Sequence, residues 1–214
     1  MRSKYGMLSP PGQVRLLQFL VQQFNSKNIL EVGTFTGYAA FGMAEVMAPG
    51  GKVTGIELET FFCDFVNDRA KKNNLNVEVK EGEAISVLQS LAREGNQFDF
   101  IYIDCVKEEY YDYYKIIMEN NMLPPQGIIV CDNVLWRGTS VTRSNDTGRK
   151  VDDFNTAISQ DKRVSSARSQ GAKGAAPLTN SWLRPCLLPG FCCLCLKQFW
   201  SRPYPNLPSL LGIC

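Results

Sequence analysis

Asp132 and Asn133 stand side by side where the apolar run "GIIVC" (127–131) ends, and Asp104 ends a second run, "FIYI" (100–103). Lys107 follows Asp104 by three residues. Two carboxylates and an amide carbonyl are hard oxygen donors, the kind that takes Mg²⁺ or Ca²⁺ with waters completing the shell. An acid at a strand end also serves simply to cap the next helix. A lysine followed by Glu108 and Glu109 also reads as a solvated side chain answering those acids. The doublet taken together with Asp104 favours the cation. No histidine occurs in the 214 residues, which excludes Ser-His-Asp and Cys-His catalysis and every His-ligated metal site.

These side chains need a scaffold that brings strand ends together. Five short β-rich runs, at 28–32, 52–57, 77–82, 98–104 and 127–132, are bounded by turn residues or acids. Between them lie stretches with apolar residues three and four apart: Phe41, Ala44 and Val46; Phe61, Phe62, Phe65 and Val66; Val87, Leu88 and Leu91; Tyr110, Tyr113, Tyr114 and Ile117. These read as four crossover helices, with an opening helix over about 10–24 ahead of them. The three tyrosines read as core contacts. Repeated strand–helix–strand units with nearly all-apolar strands predict an α/β fold, a mostly parallel sheet with helices on both faces. Such sheets bind ligands beyond the carboxyl ends of their strands, where Asp104, Asp132 and Asn133 fall.

The first strand leads into "EVGTFTGYAAF" (31–41), a Gly-x-x-x-Gly turn with Gly33 and Gly37. Phe35 stands where a dinucleotide fingerprint has the glycine that admits a pyrophosphate, which disfavours a nicotinamide-dependent dehydrogenase. Glu31 would repel phosphate but suits an ammonium or sulfonium group, and S-adenosylmethionine (SAM) carries both. Glu57 ends the second strand 24 residues after Gly33, near the offset at which an acid accepts ribose hydroxyls. Glu59 lies beyond that strand and reads as solvent-facing. In "EGEA" (81–84) the third strand turns into a helix at Gly82, so backbone near Ala84 borders an adenine on this reading.

"LEVGTFTGYAAFGMA", "EGEAISVL", "FDFIYIDCVKEEYYDYY" and "GIIVCDNVLWRG" together resemble the cation-dependent class I O-methyltransferases of the caffeoyl-CoA O-methyltransferase type, including their catechol O-methyltransferase-like branch. The resemblance spans roughly residues 7–162 and includes "DNVLW" and Asp-x-x-Lys-x-x-Tyr in the family's order. It implies a Rossmann-like fold, a metal held by Asp104, Asp132 and Asn133, and Lys107 as general base. A bound cation nearby would disfavour the ammonium form of that lysine. It also implies cofactor contacts at Ser9, Glu31, Gly33, Thr34, Ala39, Glu57 and Ala84, with Asp104 serving cofactor and metal alike. The expected reaction is methyl transfer from SAM to a small phenolic, catechol-like diol. Three positions depart from the pattern: Val106 replaces a second acid, Ala39 a serine, and Arg137 an asparagine that touches substrate in plant members. The family also implies a homodimer, and N-terminal helices ahead of the position of Met7, so the chain is expected to be short at both ends.

The balance of 44% hydrophobic and 21% charged residues is that of an ordinary soluble globular protein. The net charge of +2 hides a division, because residues 163–214 hold six Lys or Arg and no acid, leaving 17 basic against 21 acidic residues in 1–162. A mildly acidic body argues against nucleic acid as the main partner. "MRSKYGMLSPPGQV" has no apolar signal segment, so a cytoplasmic protein is expected. Cys63, Cys105 and Cys131 read as small core residues. Residues 1–162 are taken as the methyltransferase domain and 163–214 as an atypical tail. That tail holds six of the eleven prolines and shows no strand-like alternation. It is expected to be mobile, to omit the family's last two strands and to leave a weakly active or inactive SAM-binding variant. "CLLPGFCCLCLKQFW" is too short and too interrupted by Pro189 to span a bilayer.

Overall fold

The computed structural model describes residues 8–168 and 191–195. Helix α1 (Pro11–Gln23) starts on Pro11, whose missing N–H costs nothing in a first turn, and buries Val14, Leu17, Leu20 and Val21 at helical spacing. Strand–helix units then follow in the predicted order: β1 (Asn28–Val32), α2 (Tyr38–Ala44), β2 (Lys52–Glu57), α3 (Thr60–Lys72), β3 (Val77–Glu81), α4 (Ala84–Arg93), β4 (Phe100–Ile103), α5 (Tyr110–Glu119) and β5 (Ile128–Cys131). A single 3₁₀ turn, Lys107–Glu109, leads into α5. After β5 come α6 (Thr139–Thr142), α7 (Asp146–Gln160), β6 (Val164–Arg168) and β7 (Phe191–Cys195).

The strands form one sheet in the order β3-β2-β1-β4-β5-β7-β6, every neighbouring pair parallel. Side-chain alternation divides the core in two. Ile29, Val53, Phe100, Tyr102, Ile128 and Val130 pack under α1, α2 and α3. Leu30, Val32, Ile56, Ile101, Ile103, Ile129 and Cys131 pack under α4, α5 and α7. Tyr110, Tyr113 and Tyr114 lie in that second layer as expected. Cys63 and Cys131 are buried and Cys105 is half-buried.

Two expectations need correction. The apolar face of α3 was read in part only: Val66 is buried as expected, but its buried companions are Cys63 and Ala70, while Phe61 is 71% exposed. Two stripes overlap on this helix, and the one with smaller side chains lets it lie close to the sheet. The phenylalanines instead build their own cluster, with Phe62 4.5 Å from Phe35 and 5.4 Å from Phe61, ring to ring.

The second correction concerns the sheet edge, which was expected to stop at β5. Here β7 pairs with β5, Ile129 opposite Cys193, and β6 pairs with β7. "FCCLC" is an apolar run without alternation, and it pairs in parallel on both sides, with β5 and with β6. The expected mobility of the tail concerns residues 169–190 and 196–214, which lie outside the described residues. Among the described residues no helix is long and apolar enough to cross a membrane.

Because β7 is flanked on both sides, a proline within it should break the ladder. Cys193→Pro removes one backbone donor and should destabilise the fold by about 1–3 kcal/mol, with aggregation through the uncovered β5 edge. Urea unfolding followed by circular dichroism checks this; an unchanged midpoint would mean the strand contributes nothing.

Candidate active site

The sheet order reverses between β1 and β4, whose following helices leave on opposite faces, so a crevice opens at their carboxyl ends. Gly33 forms its floor. Its φ is +93°, and a Cβ there would stand 2.4 Å from the Asp104 carbonyl oxygen, so only glycine fits. The Gly33 and Thr34 N–H groups both donate to Ile56 O at 3.1 Å. Gly55 on β2 similarly makes room for the Thr34 side chain, whose Oγ1 would lie 2.3 Å from a Cβ at that position. That glycine is a signal the sequence reading missed.

Alternation along the strands then gathers the acids. Glu31, Glu57, Asp104 and Asp132 have the parity of Ile29, Val53, Phe100 and Ile128, so all four leave the sheet on the α1–α3 face at one end. Glu57 closes the glycine turn: its Oε2 accepts the Phe35 N–H at 2.7 Å, and its Oε1 accepts those of Leu58 and Glu59 at 2.9 and 3.0 Å. Glu59 itself is exposed, as expected. Glu81 on β3 lies opposite Glu57, and the Gly82 N–H donates to Glu57 O at 2.9 Å, two residues ahead of Ala84 at the start of α4. Ala39 is buried in α2, and Ser9 is half-buried just ahead of α1.

Glu31 is 1% exposed, and its Oε2 has no hydrogen-bond partner among the described residues. Burial raises its pKa well above the usual carboxylate range; the Thr34 hydroxyl pulls it back, and the charges of Asp104 and Glu57 push it further up.

The three residues expected to hold a cation stand at the ends of β4 and β5. Ile103 pairs with Cys131, so Asp104 and Asp132 are the next step in register on neighbouring strands. The Asp132 N–H donates to Ile103 O at 3.0 Å. The Tyr110 hydroxyl lies 3.2 Å from Ile103 O and 3.1 Å from Asp132 O, tying the two strand ends from below. Asn133 adopts a left-handed backbone (φ +56°), which asparagine tolerates, and donates its N–H to Asp132 Oδ1 at 2.7 Å. The following turn is clamped where Asn155 Nδ2, from α7, donates to Val134 O at 2.8 Å. Tyr110 and Asn155 carry no motif of their own; only packing reveals what they hold.

Asp132 is fully buried, and its Oδ2 has no hydrogen-bond partner among the described residues. Its pKa is raised by burial and by Asp104, against the Gln13 amide, the Lys107 charge and the Asn133 N–H, which lower it. Lys107 is 7% exposed; its Nζ donates to Asp104 Oδ1 at 2.6 Å and to Cys105 O at 2.9 Å, and lies 5.1 Å from the Tyr110 ring centre and 6.0 Å from that of Trp136. The alternative of a solvated lysine answering Glu108 and Glu109 is thereby set aside. Arg137 is exposed, its guanidinium 5.6 Å from the Trp136 ring centre. Among the described residues no three His, Cys, Asp or Glu side chains converge as a metal-holding group; the candidate set here is two carboxylates and an amide. An orphaned buried carboxylate oxygen beside a second carboxylate fits a cation.

A glycine turn at the switch point of a parallel sheet, lined by acids, is the arrangement expected of a class I SAM-dependent methyltransferase, and similarity to known proteins agrees with it. The family model described as "O-methyltransferase" matches residues 2–170. Caffeoyl-CoA O-methyltransferase 2 of Petunia hybrida is 28% identical over 171 residues, which cover 74% of this chain and 70% of that one. The crystal structure of an O-methyltransferase from Bacillus cereus in complex with SAH superposes with a TM-score of 0.69 at 31% identity, covering 73% of each chain. TomG, an O-methyltransferase of Streptomyces achromogenes solved in complex with SAM, gives 0.68 at 26% identity over 73% of this chain and 72% of that one. The chain belongs to the O-methyltransferase family and is a SAM-dependent O-methyltransferase of the caffeoyl-CoA O-methyltransferase type.

The buried Glu31 carboxylate costs the ligand-free fold stability, because its charged form is disfavoured there. That cost grows as pH rises from the ordinary carboxylate value through the raised one. Glu31→Gln should therefore raise the melting temperature of the ligand-free protein at pH 7. If Glu31 meets the cofactor's ammonium group, the same change should weaken SAH binding about 10- to 100-fold. Thermal melts and calorimetric titration with SAH check the two signs; a lowered melting temperature with unchanged SAH affinity would make Glu31 a structural residue.

Proposed function

We propose that this methyltransferase requires a divalent cation and methylates one oxygen of a catechol-like vicinal diol. The observation that carries this reading is the unpartnered, buried Oδ2 of Asp132, one register step from Asp104. Asp104, Asp132 and Asn133 would hold Mg²⁺ or Ca²⁺, and Ser9, Glu31, Gly33, Thr34, Ala39, Glu57 and Ala84, with Asp104, would face the cofactor. When bound, the cation supplies Lewis acidity that lowers the pKa of a diol hydroxyl, and the cofactor supplies an electrophilic methyl group.

Lys107 takes the hydroxyl proton at Nζ from its neutral amine form and so becomes the ammonium, at a position set by the Cys105 carbonyl at 2.9 Å and by the Tyr110 and Trp136 rings. The 3₁₀ turn that carries it is tied to α7 by the Thr147 hydroxyl, which donates to Glu108. Glu31 answers the cofactor's cationic end and Glu57 its ribose, so donor and acceptor share the α1–α3 face of the sheet. No covalent enzyme intermediate is required. The name of the petunia relative points to a caffeoyl acceptor for that protein. For this chain we take the diol rather than a thioester as the recognised feature, since Arg137 stands where the plant-type pattern has asparagine. Weak activity was expected because β5 would have an open edge; β7 covers that edge, which supports an active enzyme.

Asp132→Ala should abolish catechol methylation while SAH affinity changes much less, because the expected cofactor residues lie mainly on β1 and β2. Activity measured with excess chelator, against Mg²⁺ added back, completes the test. Full turnover in chelator would sink the cation. Lys107→Ala should lower turnover by about two to four orders of magnitude at neutral pH, with recovery at high pH where the diol ionises unaided. A pH–rate profile shows whether that recovery occurs; a variant as fast as the parent would remove the base from the mechanism.

A further inference from the structure

Tyr102 lies two residues before Asp104, so both side chains leave the sheet on the α1 face. It is 1% exposed. Its hydroxyl accepts a hydrogen bond from Gln13 Nε2, in the first turn of α1, at 2.6 Å. Ser9, just ahead of that helix, also hydrogen-bonds to it. With Gln13 on its acceptor side, the phenol keeps its own proton for Asp104 Oδ2, 3.5 Å away. The other oxygen of that carboxylate, Oδ1, faces Lys107 Nζ at 2.6 Å. Asp104 is thus addressed on both oxygens, by a cation on one side and by a neutral donor anchored to a different element on the other.

We propose that Tyr102, held by Gln13, is a positioning residue that fixes the orientation of the Asp104 carboxylate for a divalent cation, and that the docking of α1 thereby sets cation affinity. This rests on the cation reading above. A carboxylate ligand turns freely about its last torsion unless a second group holds it, and such outer partners typically carry 10- to 100-fold in metal affinity. Phe100, two residues earlier on the same face, packs as plain core, so nothing in the strand's packing calls for a hydroxyl at position 102. The hydroxyl there serves the site.

The test is calorimetric titration of the full chain with MgCl₂, alongside SAH titration and thermal melting. Tyr102→Phe should weaken Mg²⁺ binding about tenfold or more, with SAH affinity and melting temperature close to those of the parent. Gln13→Leu should weaken it in the same direction by a smaller factor. An unchanged Mg²⁺ affinity in Tyr102→Phe overturns the proposal, and so does a loss of SAH affinity and melting temperature in step with that of Mg²⁺, the mark of a structural role. Should Tyr102→Phe fail to fold, parental Mg²⁺ affinity in Gln13→Leu overturns the proposal, since that variant removes both the hold on Tyr102 and an amide that faces Asp132. If the parent chain binds no Mg²⁺, the cation reading falls and takes this proposal with it; Mg²⁺ binding indifferent to both variants removes this proposal only.

Discussion

The end of β1 and the end of β4 approach so closely that position 33 has no room for a side chain. A Cβ on Gly33 would sit 2.4 Å from the Asp104 carbonyl oxygen, and the backbone there is left-handed at φ +93°. Much follows from this one contact. β1 and β4 are neighbours in the sheet but not in the chain, so α2 and α5 leave on opposite faces and a crevice remains between them. The glycine turn lies along one wall of that crevice, within reach of the Glu57 carboxylate that closes it. Asp104 stands on the other wall.

Parity does the rest of the positioning. In a parallel sheet, residues an even number of register steps apart share a face, and Glu57 and Asp104 lie two steps beyond Glu31, which pairs with Gly55 and Tyr102. Glu31, Glu57, Asp104 and Asp132 therefore converge although they lie on four different strands. Their company is unfavourable without a ligand. Burial and mutual repulsion push Glu31 and Asp132 upward, and Lys107 answers only part of that charge, through Asp104. A site of this kind is less stable than an apolar one of the same shape, and the difference is recovered when cationic ligands enter, the usual trade between stability and function.

The edge beyond β5 shows the same logic at the level of the fold. A long, uncovered β5 would be an aggregation hazard. Pairing with Phe191–Cys195, and of that strand with Val164–Arg168, moves the edge two strands outward. It thereby protects the strand that carries Asp132 and Asn133.

Much of this was legible in the chain itself. The five core strands were readable because each is a short apolar run cut off by a charged or turn residue, and Gly33, Asp104, Asp132 and Asn133 could be placed at strand ends by that local rule alone. Lys107 was identifiable as a candidate from its three-residue offset, but whether it meets water or Asp104 depends on how the 3₁₀ turn packs on Tyr110 and Trp136. Sequence alone could not choose the buried stripe of α3, since two apolar stripes overlap there and only the fit against the sheet favours Cys63, Val66 and Ala70. Nor could it place "FCCLC", because a run without alternation is a strand only when neighbours cover both its sides. The Gln13–Tyr102–Asp104 link was equally hidden: it joins residues 89 apart in the chain, and no local pattern encodes such a contact. Local chemistry thus determined which residues stand at the ends of which elements, and only the docking of elements decided which of those residues touch, because contact is a property of packed surfaces rather than of spacing along the chain.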